Sequence, residues 1–251
     1  LTAGGSVIAR GDARNLGDAA LHKLERNEYA AAISATPAGD GYWIFTRHDA
    51  VRDIYKTPEL FSSESFVPWI PEPEYRFIPT QIDPPDHVKY RRILNPWFSP
   101  KAVEAAEPHM REICRPLVAA IAPRGECDFI GDFALRYPTE VFLSFVGVPL
   151  SMTDQLVQWV DDYFAGQSGD PSKLQGMTAA LQGISDYWEG VLEERRGEPE
   201  PRPGDLASHL MHATCDERPL TDKEVLDMLL VLVLAGLDTT YCLFGDIPAY
   251  A

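Results

Sequence analysis

Long apolar runs, a basic excess and clustered cysteines are all missing from this sequence of 251 residues. The longest uninterrupted apolar run, Met228 to Leu237, is too short to span a bilayer, and the opening LTAGGSVIARGDARN has no apolar signal-peptide core. Both absences argue against a membrane and lead us to expect a cytoplasmic protein. The formal net charge is −16. So acidic a chain has no general attraction for phosphate backbones, and nucleic acid is set aside as a partner. The four cysteines, Cys114, Cys127, Cys215 and Cys242, form no CxxC pair and have no ligand-like spacing to histidine. They fit buried thiols in a reducing compartment better than disulfides or zinc. Internal repeats and low-complexity tracts are absent too.

What is present is a composition that can fold: 45% hydrophobic and 10% aromatic residues suit a globular protein with a sizeable core. The pattern predicts a helical stretch around Ala19 to Ala32 and a strand over Gly41 to Thr46, rich in aromatic and β-branched residues. A short helix is expected from His48 to Tyr55. Phe61 to Pro85 contains six prolines and reads as a long loop. Helix signals dominate afterwards, at His87–Trp97, Lys101–Ala122, Pro138–Val146, Met152–Phe164, Ser172–Glu194 and Leu206–His212. Ser99-Pro100 supplies a cap and an N1 proline, while Pro108 and Pro116 predict a break or kink in the helix that follows. Gly125 to Phe133 reads as a turn with a short strand. Thr221-Asp-Lys-Glu224 is a capping box opening a last helix that is apolar on every face. The fold class is mainly α with a small N-terminal β-sheet, in one domain over 1–251.

Two constellations carry chemistry. In Ala235-Gly236-Leu237-Asp238-Thr239-Thr240, an acid and hydroxyls interrupt an apolar helix. Thr239 can bond to the Ala235 carbonyl four residues back or release it to a bound water or diatomic. Asp238 would sit beside it as a proton source or gate, and Gly236 would let the backbone widen or a ligand approach closely. The competing reading is a buried helix whose acid and threonine satisfy each other or a neighbouring arginine. In the second constellation, His87 and Arg91 are four apart on one helical face, able to donate to a single anionic group. From His87 to Lys101 there are four lysines and arginines and no acidic residue, and the competing reading is a solvated basic face.

The string Asp83-Pro-Pro-Asp-His87-Val-Lys-Tyr-Arg91-Arg92-Ile-Leu-Asn-Pro-Trp-Phe98-Ser99-Pro100 resembles the C-helix region of bacterial cytochromes P-450, the haem-thiolate monooxygenases. Ala235 to Thr240 is similar to that family's oxygen-binding I-helix motif. Tyr42–Ser63, Tyr137–Pro149 and Arg218–Asp222 resemble it in the same order. The resemblance implies a cytochrome P-450 fold and heme b (iron protoporphyrin IX), with His87 and Arg91 on its propionates. It implies oxygen-side roles for Thr239, which would bond bound dioxygen, for Asp238, which would help relay protons, and for Ala235 and Gly236, where the helix opens. Val231, Leu234, Phe66 and Phe77 would line the substrate pocket. The implied reaction inserts one atom of O2 into a small apolar organic substrate. Electrons would come from NAD(P)H through ferredoxin and ferredoxin reductase, docked on a basic face including Lys89 and Arg92.

The family's Phe-x-x-Gly-x-x-x-Cys-x-Gly loop and its Glu-x-x-Arg pair beyond the I-helix are not found, so no metal ligand is assigned. Glu112–Arg115 and Glu193–Arg196 match Glu-x-x-Arg by letter only, and Cys242 lies too near Thr240 to reach the opposite face of a haem. The expectation is therefore an incomplete domain, truncated after the I-helix, inactive alone and prone to self-association through an uncovered core. A haem-free helical module binding a small ligand or partner, and a non-functional fragment, remain as alternative readings.

Overall fold

The computed structural model describes residues 7–9, 30–33, 42–45, 47–65, 75–167 and 171–246. Contacts divide the chain into two compact units, Leu1–Val88 and Lys89–Ala251.

In the first unit, β1 (Val7–Ala9), β2 (Ala30–Ile33) and β3 (Tyr42–Phe45) form an antiparallel sheet of order β1-β3-β2, with Val7 and Ala30 both opposite Phe45. The strand expected at Gly41–Thr46 is β3. Ala30 to Ala32, expected to be helical, are instead strand residues. Alanine imposes little of its own, and pairing with the β-prone Tyr42-Trp-Ile-Phe45 decides their state. The rest of the Ala19–Ala32 stretch lies outside the described residues. After α1 (His48–Tyr55), residues 56–65 and 75–85 are held together by side chains rather than by helix or strand. Gln81 is their hub, accepting from the Phe77 N–H at 2.7 Å and donating to the Glu64 carbonyl at 2.8 Å. Phe77, Ile78 and Ile82 are buried around it.

Helix α2 (Asp86–Leu94) leads into the second unit. Next comes α3 (Pro100–Ile121), where Ser99 Oγ accepts from the Ala102 N–H at 3.2 Å, the cap the sequence announces. Pro108 and Pro116 do not break it; it is assigned as one helix throughout. No strand forms between Gly125 and Phe133. Ile130–Ala134 is a single wide π turn running into α4 (Arg136–Val146). Then follow α5 (Thr153–Gly166), α6 (Leu174–Arg195), α7 (Leu206–His212), the two-residue strands β4 (Thr214–Cys215) and β5 (Arg218–Pro219), and α8 (Asp222–Asp246).

The last helix is the axis of this unit and packs on α4, α5, α6 and α7. By length and composition Asp222–Phe244 could cross a membrane, but Met228, Leu229, Val233 and Leu237 are buried among its neighbours. Each such burial stabilises the fold by roughly 1.5–3 kcal/mol. On the helices around it, Leu143, Leu156, Ile184 and Trp188 are buried as well.

One polar knot ties this core together. Buried Arg195 donates to Asp205 Oδ1 at 2.8 Å and to the Gly147 carbonyl at 2.5 Å, while the same Asp205 oxygen caps α7 by accepting from the Ser208 N–H at 2.8 Å. Gly147 ends α4 with φ of 77°, and a Cβ there would meet the Asp205 carboxylate at 2.1–2.6 Å. Only glycine satisfies both conditions. Arg195 sits inside a segment whose Glu-x-x-Arg lettering carried no structural expectation.

Candidate active site

Helix α8 is apolar in sequence on every side, yet one side is open. Val231 is half-buried, and Ala235, Thr239 and Cys242 are exposed. Steps of four and three residues keep these side chains on one stripe. Leu234 and Leu237 are turned away by the same geometry and are buried in the core. Of the two residues expected to face a substrate from this helix, Val231 therefore borders the open stripe and Leu234 does not. Phe77 likewise lies in the core of the first unit, its ring 5.0 Å from Tyr75. Phe66 is outside the described residues.

On the open stripe, Thr239 Oγ1 donates to the Ala235 carbonyl at 2.7 Å. This is the back-bond the four-residue spacing anticipates. Its donor is satisfied by the helix itself, while its oxygen can accept from an incoming group. Gly236 serves another contact: a Cβ there would lie 3.2 Å from Phe142 Cδ2, so its missing side chain lets the α4 ring press against α8. Close helix packing is thus one use of this glycine.

Asp238 departs most from the sequence reading. Its carboxylate is not bonded to Thr239; Oδ1 accepts from Tyr241 Oη at 2.8 Å, with Cys242 Sγ at 4.0 Å. The same Tyr241 hydroxyl lies 3.1 Å from Asp161 Oδ1 on α5. Burial, with the Asp238 hydrogen bond next, raises the Tyr241 pKa, and burial also raises that of Asp161. Neither Tyr241 nor Asp161 carried a sequence signal, since the contact spans 80 positions.

On α2, His87 Nδ1 lies 3.0 Å from the Pro79 carbonyl. A carbonyl only accepts, so the proton sits on Nδ1 and Nε2 is left for another partner. Arg91 follows one turn later and is exposed, as is Arg92. Lys89, expected on the same basic face, is ion-paired with Asp216. Tyr90 was not singled out by sequence. Its hydroxyl donates to Glu224 Oε1 at 2.6 Å, fastening α2 to the first turn of α8.

Glu224 gathers more than the capping box. Besides the reciprocal Thr221 contacts (Thr221 N to Oε2 at 2.8 Å, Glu224 N to Oγ1 at 3.2 Å), it receives both Arg218 Nη groups at 2.6–2.7 Å. The Arg218 guanidinium holds the Glu224 carboxyl well below the usual range. Burial, then the bond to Glu224, pushes the Tyr90 phenol up to about 12. The four cysteines form no disulfide; Cys215 is buried, but Cys127 and Cys242 are exposed, which corrects the expectation of buried thiols throughout. Among the described residues no three His, Cys, Asp or Glu side chains are grouped to hold a metal ion.

No family model matches the chain. It is 32% identical over 220 residues to the probable cytochrome P-450 127A1 of Sinorhizobium fredii, an alignment covering 86% of this chain and 51% of that protein. It is 30% identical over 199 residues to a steroid C26-monooxygenase of Mycolicibacterium smegmatis, covering 78% and 48%. The crystal structure of cytochrome P-450 CYP101C1 superposes with a TM-score of 0.70 at 28% identity, covering 92% of this chain and 56% of that one. The chain thus spans about half the length of the curated relatives it matches.

Proposed function

Because the chain belongs to the cytochrome P-450 family, we propose that it forms the oxygen side of a haem monooxygenase that inserts one atom of O2 into a small apolar organic substrate. The observation that carries this reading is Thr239. Its hydroxyl stands on the open stripe of an otherwise buried apolar helix, where Val231 and Ala235 offer an apolar wall and Thr239 the polar atom.

Each taken by itself, these residues have the chemistry that parts of a haem would need. Val231 and Ala235 suit the face of a flat apolar macrocycle, and His87 Nε2 with the Arg91 guanidinium suits its propionates. Bound there, the haem would supply the oxygen-activating iron. The chain's own part would be to bind and orient: α2 would hold the carboxylates, the apolar stripe would exclude water, and Thr239 would accept and pass a proton at Oγ1. Asp238, the preceding residue, would supply that proton. No axial iron ligand is assigned among these 251 residues. Arg92 contributes to the docking face for a ferredoxin supplied by NAD(P)H and its reductase, in the cytoplasm. The names of relatives acting on steroids favour an apolar substrate.

Carbon-monoxide difference spectroscopy tests this reading, on the reduced chain alone and joined to the second half of its Sinorhizobium relative. The joined protein should show the red-shifted Soret band of a thiolate-bound haem, and the chain alone should not. That band in the isolated chain would refute the absence of the axial ligand, and haem exclusion from both forms would refute the reading as a whole.

A further inference from the structure

We infer that Tyr241 is a positioning residue of the proposed oxygen site, holding Asp238 and carrying protons to it from Asp161 at the surface. The inference rests on the proposed function for its destination and on hydrogen-bond arithmetic for its existence. Tyr241 Oη lies 3.1 Å from Asp161 Oδ1 and 2.8 Å from Asp238 Oδ1. A phenol has one proton to give, and an ionised carboxylate has none. With both carboxylates charged, one of these contacts would set a lone pair against an anionic oxygen. A single extra proton resolves it: protonated Asp161 donates to the Tyr241 oxygen, and Tyr241 donates to the Asp238 carboxylate.

The surroundings favour keeping that proton. No cation pairs with either carboxylate among the described residues; the further charge acting on Asp161 is Asp162, beside it on α5. The Cys242 thiol approaches Asp238 on α8, and from α4 the ring of Tyr137 stands against Phe244, one turn beyond Tyr241. Asp161 is exposed, so bulk water can recharge it.

Transfer along the bridge is balanced. Asp161 gives its proton to the Tyr241 oxygen as the phenolic proton moves to Asp238. Asp161 ends ionised, Asp238 protonated and Tyr241 unchanged. Asp238 is the residue next to Thr239 in the chain.

Infrared spectroscopy of the chain across the acid-to-neutral range tests the bridge without haem. A protonated carboxyl band should persist above the ordinary aspartate range, be missing in Asp161→Asn, and move down to the ordinary range in Tyr241→Phe. Asp161→Asn keeps a donor toward the phenol, so its fold and circular dichroism should be unchanged. Identical carboxyl titrations in the wild type and Asp161→Asn would overturn the shared proton. In the haem-loaded joined protein, Asp161→Asn should slow oxygen cleavage on the order of tenfold to a hundredfold, at or below the low end of general acid catalysis. The solvent isotope effect and peroxide release should rise and haem content stay constant. An unchanged isotope effect would overturn the relay. A chain with the shared proton that takes up no haem would overturn the proposed function instead, and with it the relay's destination.

Discussion

Glu224→Ala tests how the open stripe of α8 is held in place. In the wild type this carboxylate accepts from the Tyr90 hydroxyl at 2.6 Å, from the Thr221 N–H at 2.8 Å and from both Arg218 Nη groups. Its side chain is only 13% exposed, against 51% for Arg218. Loss of the capping box costs about 1 kcal/mol. A half-buried Tyr90 hydroxyl left without its partner costs about 1–3 kcal/mol more. The freed Arg218 guanidinium is taken up by water and adds little. The total of about 2–4 kcal/mol corresponds to a fall in melting temperature of roughly 5–15 °C for a chain of this size. Thermal unfolding followed by circular dichroism reads it directly. The sign of the pH dependence is also fixed. Arg218 holds the Glu224 pKa below its unfolded value, so the stabilisation is complete above the ordinary glutamate range and lost as pH falls. The gap between wild type and Glu224→Ala should therefore narrow in acid. A fall under about 2 °C at neutral pH, or a gap that widens in acid, would refute this reasoning.

Arg91→Ala should lower haem retention in the joined protein with helix content unchanged, because Arg91 is exposed and its loss opens no cavity; equal haem occupancy would count against the propionate assignment. Thr239→Ala removes only an exposed back-bond, so stability should change by less than about 0.5 kcal/mol and haem content should hold, while reducing equivalents are diverted to peroxide. Normal coupling would remove Thr239 from proton delivery. Asp205→Ala leaves the buried Arg195 charge unpaired and should cost about 3–5 kcal/mol by denaturant unfolding, whereas a loss below about 1 kcal/mol would show that the Arg195 knot is not structural.

Local chemistry was legible in the sequence where one turn of chain decides it. Ser99 with Pro100 and Thr221 with Glu224 mark helix starts because each hydroxyl satisfies a nearby amide, and the structure places both caps where the letters do. Thr239 reaches the Ala235 carbonyl because four residues make one helical turn. Contacts set by distant chain were not legible. Gly236 reads as room for a ligand until the Phe142 ring appears beside it. Asp238 reads as a partner for Thr239 until Tyr241, which also touches Asp161, claims its carboxylate. Leu234 could have been placed from sequence: Val231, Ala235 and Thr239 share the four-residue spacing, and Leu234 lies about 100° off that stripe.

Methyl NMR of the chain with iron protoporphyrin, against the diamagnetic zinc form as reference, tests most directly whether the open stripe of α8 borders the haem. Paramagnetic iron should broaden the Ala235 and Thr239 methyls beyond detection and leave those of buried Leu229 and Leu237 sharper. Equal broadening of all four, or none, would contradict the account.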